Sequence, residues 1–495
     1  MSHCEGEHCI ELHIQETHTK SVVNEAQDPT ISHLPVELVS NIFMLSDPYP
    51  VETEEFPHPL LNASWTATGK YQLSLGAVCI AWRNIVWSTP HLWTNIRIWL
   101  QTKDVHCHME FLLLYLRLSG SLPLDIHAWV PQYSDLTERD YPVLLPLLEA
   151  LSGHSERWRS LDLHIPPRLL SHMKVPSGAP NLEILRIYYF GGPQEQNPTA
   201  FRISFGLTSP RMVVAYSISF STIWIDWTNV TSAKFNTFNM RECLELFRQA
   251  TRLVNLQVDF LGTGGIDLST LREVVTAPSL ALWVAGFTRN PGPFLQNLVL
   301  PSIVNFWLQG CGPSEALKHL FLRSKCPLRT LTFSGANFTG LDVIPILRTT
   351  PLLEDIIFDN VAFRGPGLEQ LSELLARTKL VNDLSQGSFV PRLKHLEIVQ
   401  IDLQSFPWHS VPSLFPPSLH PKGAQYRPLQ ELAFDFSDDM YEEDDYIDKD
   451  VVLKLSEIRR RNYKLIVRNQ WAREDFIQLS YDYHFGGSGL AQGMI

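Results

Sequence analysis

Pro301-Ser302-Ile303-Val304-Asn305-Phe306-Trp307-Leu308, Pro327-Leu328-Arg329-Thr330-Leu331-Thr332-Phe333 and Pro351-Leu352-Leu353-Glu354-Asp355-Ile356-Ile357-Phe358 are three copies of one phrase. A proline or polar residue is followed by x-Leu-x-x-Leu-x-apolar. The closing alternation has period two, the pattern of a short strand with one face covered, because successive side chains on a strand point to opposite sides. Toward the amino terminus the phrase returns around Leu280 and Trp283, around Leu253, Leu256 and Val258, and around Leu182, Leu185 and Ile187. A weaker copy spans residues 210–218, and an earlier one carries Leu161, Leu163 and Ile165. Toward the carboxyl terminus it returns at Leu393, Leu396 and Ile398 and at Leu429, Leu432 and Phe434. From Leu253 the anchors reach Leu280, Ile303, Leu328 and Leu352 in steps of 27, 23, 25 and 24 residues, then Leu393 and Leu429 in steps of 41 and 36.

Between the phrases lie stretches with apolar residues at helical spacing. Residues 241–250 place Cys243, Leu244, Phe247 and Ala250 on one face, and residues 315–322 do the same with Ala316, Leu317 and Leu320. Residues 341–347 follow the pattern, and residues 368–375 carry Leu368, Leu371, Leu374 and Leu375. Each stripe is wide enough to face a core. A strand and a returning helix at each step resembles a leucine-rich-repeat array of the irregular kind found in fungal F-box proteins, whose repeats run to roughly 20–29 residues. No unit of such an array closes its own core, and stacked neighbours bury one continuous apolar layer. The regular Asn or Cys of the family consensus is missing, although Asn360 follows Ile356-Ile357-Phe358. The expected fold class is α/β, with residues 101–475 forming an irregular leucine-rich-repeat-like strand-helix solenoid, an acidic insertion at 435–450 and a tail at 476–495.

The second decisive stretch is Leu34-Pro35-Val36-Glu37-Leu38-Val39-Ser40-Asn41-Ile42-Phe43, followed by Val78-Cys79-Ile80-Ala81-Trp82-Arg83-Asn84-Ile85-Val86-Trp87-Ser88-Thr89-Pro90-His91-Leu92-Trp93. Leu34, Leu38, Ile42 and Leu45 recur at helical spacing, Pro35 sits where a missing N–H costs nothing, and Glu37 falls in the first turn, where the helix dipole favours an acid. A second helix runs through Leu75, Val78, Cys79, Trp82, Ile85 and Val86 and stops at Thr89-Pro90, since a proline disfavours helix in the residue before it. Helices below about 12 residues are marginal alone, so these need each other, a third segment such as residues 91–100, and the domain that follows. The order of the Leu-Pro-x-Glu-Leu opening, Trp82-Arg83 and Thr89-Pro90-x-Leu92-Trp93 resembles an F-box of the fungal type. That resemblance implies a small helical domain over residues 31–100 that grips the adaptor protein of a cullin-RING, SCF-type ubiquitin ligase. It implies Leu34, Pro35, Glu37, Leu38, Ile42, Phe43, Val78, Cys79, Trp82, Trp87, Leu92 and Trp93 as adaptor-binding residues. Residues 47–72, with Pro48, Pro50, Pro57 and Pro59 and acids at Glu52, Glu54 and Glu55, read as a Pro-rich surface insertion.

Composition narrows the function classes. Forty basic residues against 52 acidic ones leave a formal charge of -12, which disfavours a grip on nucleic acid phosphate. Seven cysteines, an odd number spread along the chain, do not read as a disulfide framework and point to a reducing compartment, cytoplasm or nucleus. Residues 1–30 read as a disordered polar tail, and no apolar run is long enough to cross a membrane. His3, Cys4, His8 and Cys9 lack zinc-ligand spacing, His106-Cys107-His108 is short of a fourth ligand, and no phosphate loop, nucleophile elbow or zinc-protease helix occurs. The F-box resemblance implies a protein without catalytic residues, cofactor or metal.

Residues between the strand anchors can contact a partner without disturbing the core. Arg329, Glu354, Lys394, His395 and Glu431 are the candidates for binding a substrate protein. Trp224, Trp227, Trp283, Phe306 and Trp307 lie in or beside the strands, and at least half of them belong in the core. The acidic residues of 435–450 read as a solvated segment. The expected function is the substrate-recognition subunit of a ubiquitin ligase. The alternative is a repeat-based interaction scaffold that does not act in a ligase.

Overall fold

A computed structural model of the chain describes residues 34–47, 70–103, 105–130, 139–175, 178–189, 202–206, 208–262, 273–287, 290–310, 314–335, 337–364, 367–378, 380, 389–401, 406–417, 425–436, 446–469 and 474–486. The amino-terminal tail, most of the Pro-rich insertion and the acidic residues 437–445 lie outside them. The chain forms two compact units, Met1–Val230 and Thr231–Ile495.

The first unit opens with helices α1 (Val36–Leu45), α2 (Lys70–Val78) and α3 (Ile80–Ser88) and a 3-10 turn at Pro90–Trp93. Strands and helices then alternate: β1 (Asn95–Trp99), α4 (Val105–Leu118), β2 (Leu124–Trp129), α5 (Tyr141–Ser152), β3 (Trp158–His164), β4 (Ile184–Tyr188) and β5 (Met212–Tyr216). These strands are parallel and lie in chain order. Their register aligns Ile96, Ile126, Leu161, Leu185 and Val213 in one row and Ile98, Ala128, Leu163, Ile187 and Ala215 in the next. All ten are buried. The helical segment therefore ends at Trp93, and residues 95–99, expected within the helical domain, already belong to the sheet because Ile96 and Ile98 alternate with polar neighbours.

The second unit continues the pattern with β6 (Ser232–Asn239), α6 (Met240–Gln249), β7 (Asn255–Gly262), β8 (Leu282–Phe287), β9 (Asn305–Gly310), α7 (Ser314–Ser324), β10 (Thr330–Ser334) and α8 (Gly340–Arg348). It ends with β11 (Asp355–Asp359), α9 (Gly367–Arg377), β12 (His395–Ile401), β13 (Glu431–Phe436), α10 (Lys449–Arg460), β14 (Lys464–Asn469) and α11 (Phe476–Phe485). Again the strands are parallel and in chain order. Ala233, Leu256, Trp283, Phe306, Leu331, Ile356, Leu396, Leu432 and Leu465 form one buried row, and Phe235, Val258, Ala285, Leu308, Phe333, Phe358, Ile398, Phe434 and Val467 the next. Helices cover this side: Phe247 of α6 meets Trp283, Phe321 of α7 meets Phe306, and Phe476 of α11 meets Phe436, with ring centroids 6.0, 5.8 and 5.0 Å apart. The intervening strand residues face the other way, and that side is the open face of each sheet.

Two expectations need correction here. The anchor after Leu328 is Leu353, not Leu352, because Ile356 pairs with Leu331 and so carries Leu353 into the buried row. Residues 476–485 are a helix rather than a tail: Asp475 accepts from the Ile477 and Gln478 amides at its start, Gly486 closes it at φ +66°, and Phe476, Ile477 and Ser480 are buried.

Arginines hold carbonyls of the turns that join strands and helices. Arg157 donates to the Leu122 and Leu116 carbonyls and the Ser119 hydroxyl, and Arg323 donates to the Leu295 and Leu298 carbonyls. Arg427 is buried and donates to the carbonyls of Leu375, Thr378, Phe389 and Val390 and to the Thr378 hydroxyl. Burial lowers its pKa to about 10. Carbonyls at a helix end carry partial negative charge, which is the compensation a buried guanidinium needs.

Candidate functional site

Helix α1 buries three residues and leaves several exposed, Val36 and Met44 among them. Val39, Ser40 and Phe43 are buried, whereas Leu34, Leu38, Ile42 and Leu45 are exposed, Leu38 and Ile42 by 49% and 45%. Leu38 and Ile42 are four residues apart and share one face of α1, and exposed Leu34 lies two residues before its first residue. The α2–α3 junction adds exposed Val78 and Ile80. Cys79, between them, caps α3 by accepting from the Trp82 amide. Pro35 and Glu37 are exposed at the start of α1, where the Pro35 carbonyl accepts from the Leu38 and Val39 amides.

The other expected adaptor residues lie inward. Phe43 packs on Trp82 with ring centroids 4.7 Å apart, and Trp87 meets Trp93 edge-on at 5.2 Å. Phe43, Leu92 and Trp93 are buried, so they support the exposed face rather than belong to it. Their apolar character made them look like contact residues in sequence, where burial and contact carry the same signature. Trp93 donates to the Val86 carbonyl, and Gln72 donates to the Leu92 carbonyl. Gly76 lets α2 approach α3: a Cβ there would meet the Trp87 ring at 2.6 Å.

The five expected substrate residues lie at the amino-terminal ends of the second unit's strands. Glu354 accepts from Arg329 at 3.1 Å and from Lys394 at 2.5 Å. Its carboxyl is held below the usual range, chiefly by the Lys394 hydrogen bond. Glu431 accepts from Lys464 at 2.7 Å. His395 stands 3.9 Å from carboxylate oxygens of Asp355, Glu397 and Glu431. The five residues thus make a band of opposed charges, each engaged with a neighbour. Of the aromatic candidates, Trp227, Trp283 and Phe306 are buried, and Trp224 and Trp307 are exposed.

The open face of the first unit carries a cluster that motif reading missed. Asp162, on β3, is fully enclosed between His127 of β2, whose Nδ1 is 3.3 Å from one carboxylate oxygen, and His164, whose Nε2 is 3.0 Å from the other. Burial pushes the Asp162 carboxyl up, but the hydrogen bonds and charge of the two imidazoles outweigh it and hold the group well below the ordinary range. One register step along, Trp99, Trp129, His164, Tyr188 and Tyr216 form an aromatic row, with His164 stacked on Tyr188 at 4.3 Å. The only sequence signal was an aromatic or imidazole three residues past the second anchor of successive repeats.

Among the described residues no group of three His, Cys, Asp or Glu is arranged to hold a metal ion, and no helix is long and apolar enough to cross a membrane. No model of a known protein family matches the chain, and no curated protein matches it.

Proposed function

We propose that the chain is a non-catalytic substrate-recognition subunit of a cullin-RING ubiquitin ligase, an F-box module followed by a degenerate leucine-rich-repeat solenoid. The observation that carries this reading is the exposed pair Leu38 and Ile42 on a helix whose opposite face is packed, with Leu34 exposed just before its start. Leaving such residues in water is unfavourable by roughly 25 cal/mol per Å² of apolar surface, and a grouped set of them marks a binding surface. Its place, in the motif that resembles an F-box, supports the ligase adaptor as the occupant. Ubiquitin chemistry then belongs to other subunits, and this chain supplies proximity, converting an encounter between substrate and ligase into an intramolecular one. The open sheet face of the second unit supplies the surface that selects the substrate.

The test is co-purification with the ligase adaptor. The intact chain retains the adaptor, and a Leu34→Ala, Leu38→Ala, Ile42→Ala variant with unchanged circular dichroism loses it. Retention by the variant, or none by the intact folded chain, removes the reading.

A further inference from the structure

We infer that the open face of the second unit binds an extended basic segment of a partner protein, with Trp307 as the apolar anchor and Asp355, Asp359 and Glu397 as the groups that select its positive charge. The inference rests on the proposal that the sheet is the substrate-selecting part of the chain. Val284, Trp307, Thr332, Ile357 and Glu397 pair in register across five neighbouring strands and so form one row on the open face. At about 4.8 Å per strand the row is roughly 19 Å long, the reach of about six residues of extended chain. Trp307 is 41% exposed, whereas Thr332 beside it is only 8% exposed. The threonine is therefore covered by its neighbours, and Trp307 is the apolar group that the row presents to a partner.

The charges around this row are unevenly paired. Arg329 and Lys394 are held by Glu354, Lys464 by Glu431 and Arg468 by Asp435. Asp355 accepts from the Thr330 hydroxyl and Asp359 from the Ser334 hydroxyl. Among the described residues, none of Asp355, Asp359 and Glu397 has a lysine or arginine within ion-pair distance, and the imidazole of His395 stands 3.9 Å from Asp355 and Glu397. Arg468, itself clamped on Asp435, feels Glu397 at longer range. An exposed indole beside under-compensated carboxylates fits an apolar side chain and a lysine or arginine two residues apart, which an extended chain turns to the same side: the indole face takes an apolar group or a cation, and the carboxylates take the charge. Nucleic acid is the wrong partner for such a face, since its phosphates would be repelled. The corresponding face of the first unit is closed by its own side chains, for Asp162, Arg186, Tyr188 and Val214 are buried there.

The test uses the full chain and a labelled peptide, roughly eight residues long to span the row, in which every second residue is leucine or arginine in turn, so that both types face the sheet, with serine between them. Fluorescence anisotropy should show saturable binding, weakened about tenfold or more by Trp307→Ala, the cost of losing a buried aromatic anchor. An Asp355→Asn, Glu397→Gln variant, which leaves the apolar row intact, should weaken it similarly, and Trp224→Ala should leave it unchanged. A counterpart peptide with glutamate for arginine should not bind. Absence of saturable binding, equal binding by the intact chain and both variants, or a dimer that Trp307→Ala dissociates would overturn the inference, the last by showing a second copy as the occupant. Adaptor co-purification is run on the same preparations. Adaptor bound without peptide overturns this inference alone, and peptide bound in the predicted manner without adaptor overturns the ligase reading alone.

Discussion

The Tyr115 phenol donates a 2.8 Å hydrogen bond to the side-chain oxygen of Gln72, joining helix α4, the first helix of the strand-helix series, to α2 of the amino-terminal module. Gln72 passes the link on to the Leu92 carbonyl, and the Trp93 ring packs edge-on against Tyr115 at 4.9 Å. Burial, with the charge of Asp47 behind it, keeps the phenol protonated, so it acts as a permanent donor. The module is therefore built onto the sheet domain rather than tethered beside it.

Tyr115→Phe should leave the buried Gln72 oxygen without this donor and destabilise the module by about 1–3 kcal/mol. Hydrogen exchange should report faster exchange over residues 70–93 and unchanged exchange in the second unit. Uniform exchange in both proteins would show that the link carries no stability.

Asp162 sets an acid limit. Its folded pKa lies below the unfolded value of about 3.9, so its contribution to stability is complete above that pH and is lost as pH falls through the folded value. Asp162→Asn should lower the unfolding free energy at pH 7 by about 1–3 kcal/mol. The gap between wild type and variant should narrow as acid protonates the carboxyl. A gap that stays constant from pH 7 to about pH 3, well into carboxylate titration, would contradict this account.

Arg427→Ala should be among the most damaging substitutions in the second unit, by about 3 kcal/mol or more, because several buried carbonyls lose their donor together. Arg427→Lys should recover only part of the loss, since an ammonium cannot reproduce the planar fork. Chemical denaturation of the three proteins checks both statements.

Gly286→Ala should prevent folding of the second unit: the added Cβ would lie 1.9 Å from the Asp259 carbonyl oxygen, in a backbone that cannot move aside. Gly153→Ala, whose Cβ would meet nothing nearer than 3.5 Å, should melt within a few degrees of wild type. Soluble expression and thermal melting separate the two.

Most of the second unit's sheet was legible because Leu256, Phe306, Leu331, Ile356, Leu396 and Leu432 follow one phrase, and register then makes them one row. Strands β6 and β14 were missed for physical reasons. Ala233 is too small to announce an anchor, and Lys464-Leu465-Ile466-Val467 lacks the leading proline that marked other copies. Strand β1 was hidden by its position just after a helical motif. Spacing placed Leu38 and Ile42 on one apolar face of α1, but no spacing shows that this face is exposed or distinguishes it from buried Phe43 or Trp93. The His127–Asp162–His164 cluster could not be read at all, because His127 meets Asp162 only through the pairing of β2 with β3.

The central claim is that α1 docks the ligase adaptor, and calorimetric titration of purified adaptor into the intact chain tests it most directly. The account predicts saturable binding that Leu38→Asp abolishes while melting of the chain is unchanged, because a carboxylate on the exposed stripe costs binding without touching the core. Equal affinity for wild type and variant, or no binding by the intact folded chain, would contradict it.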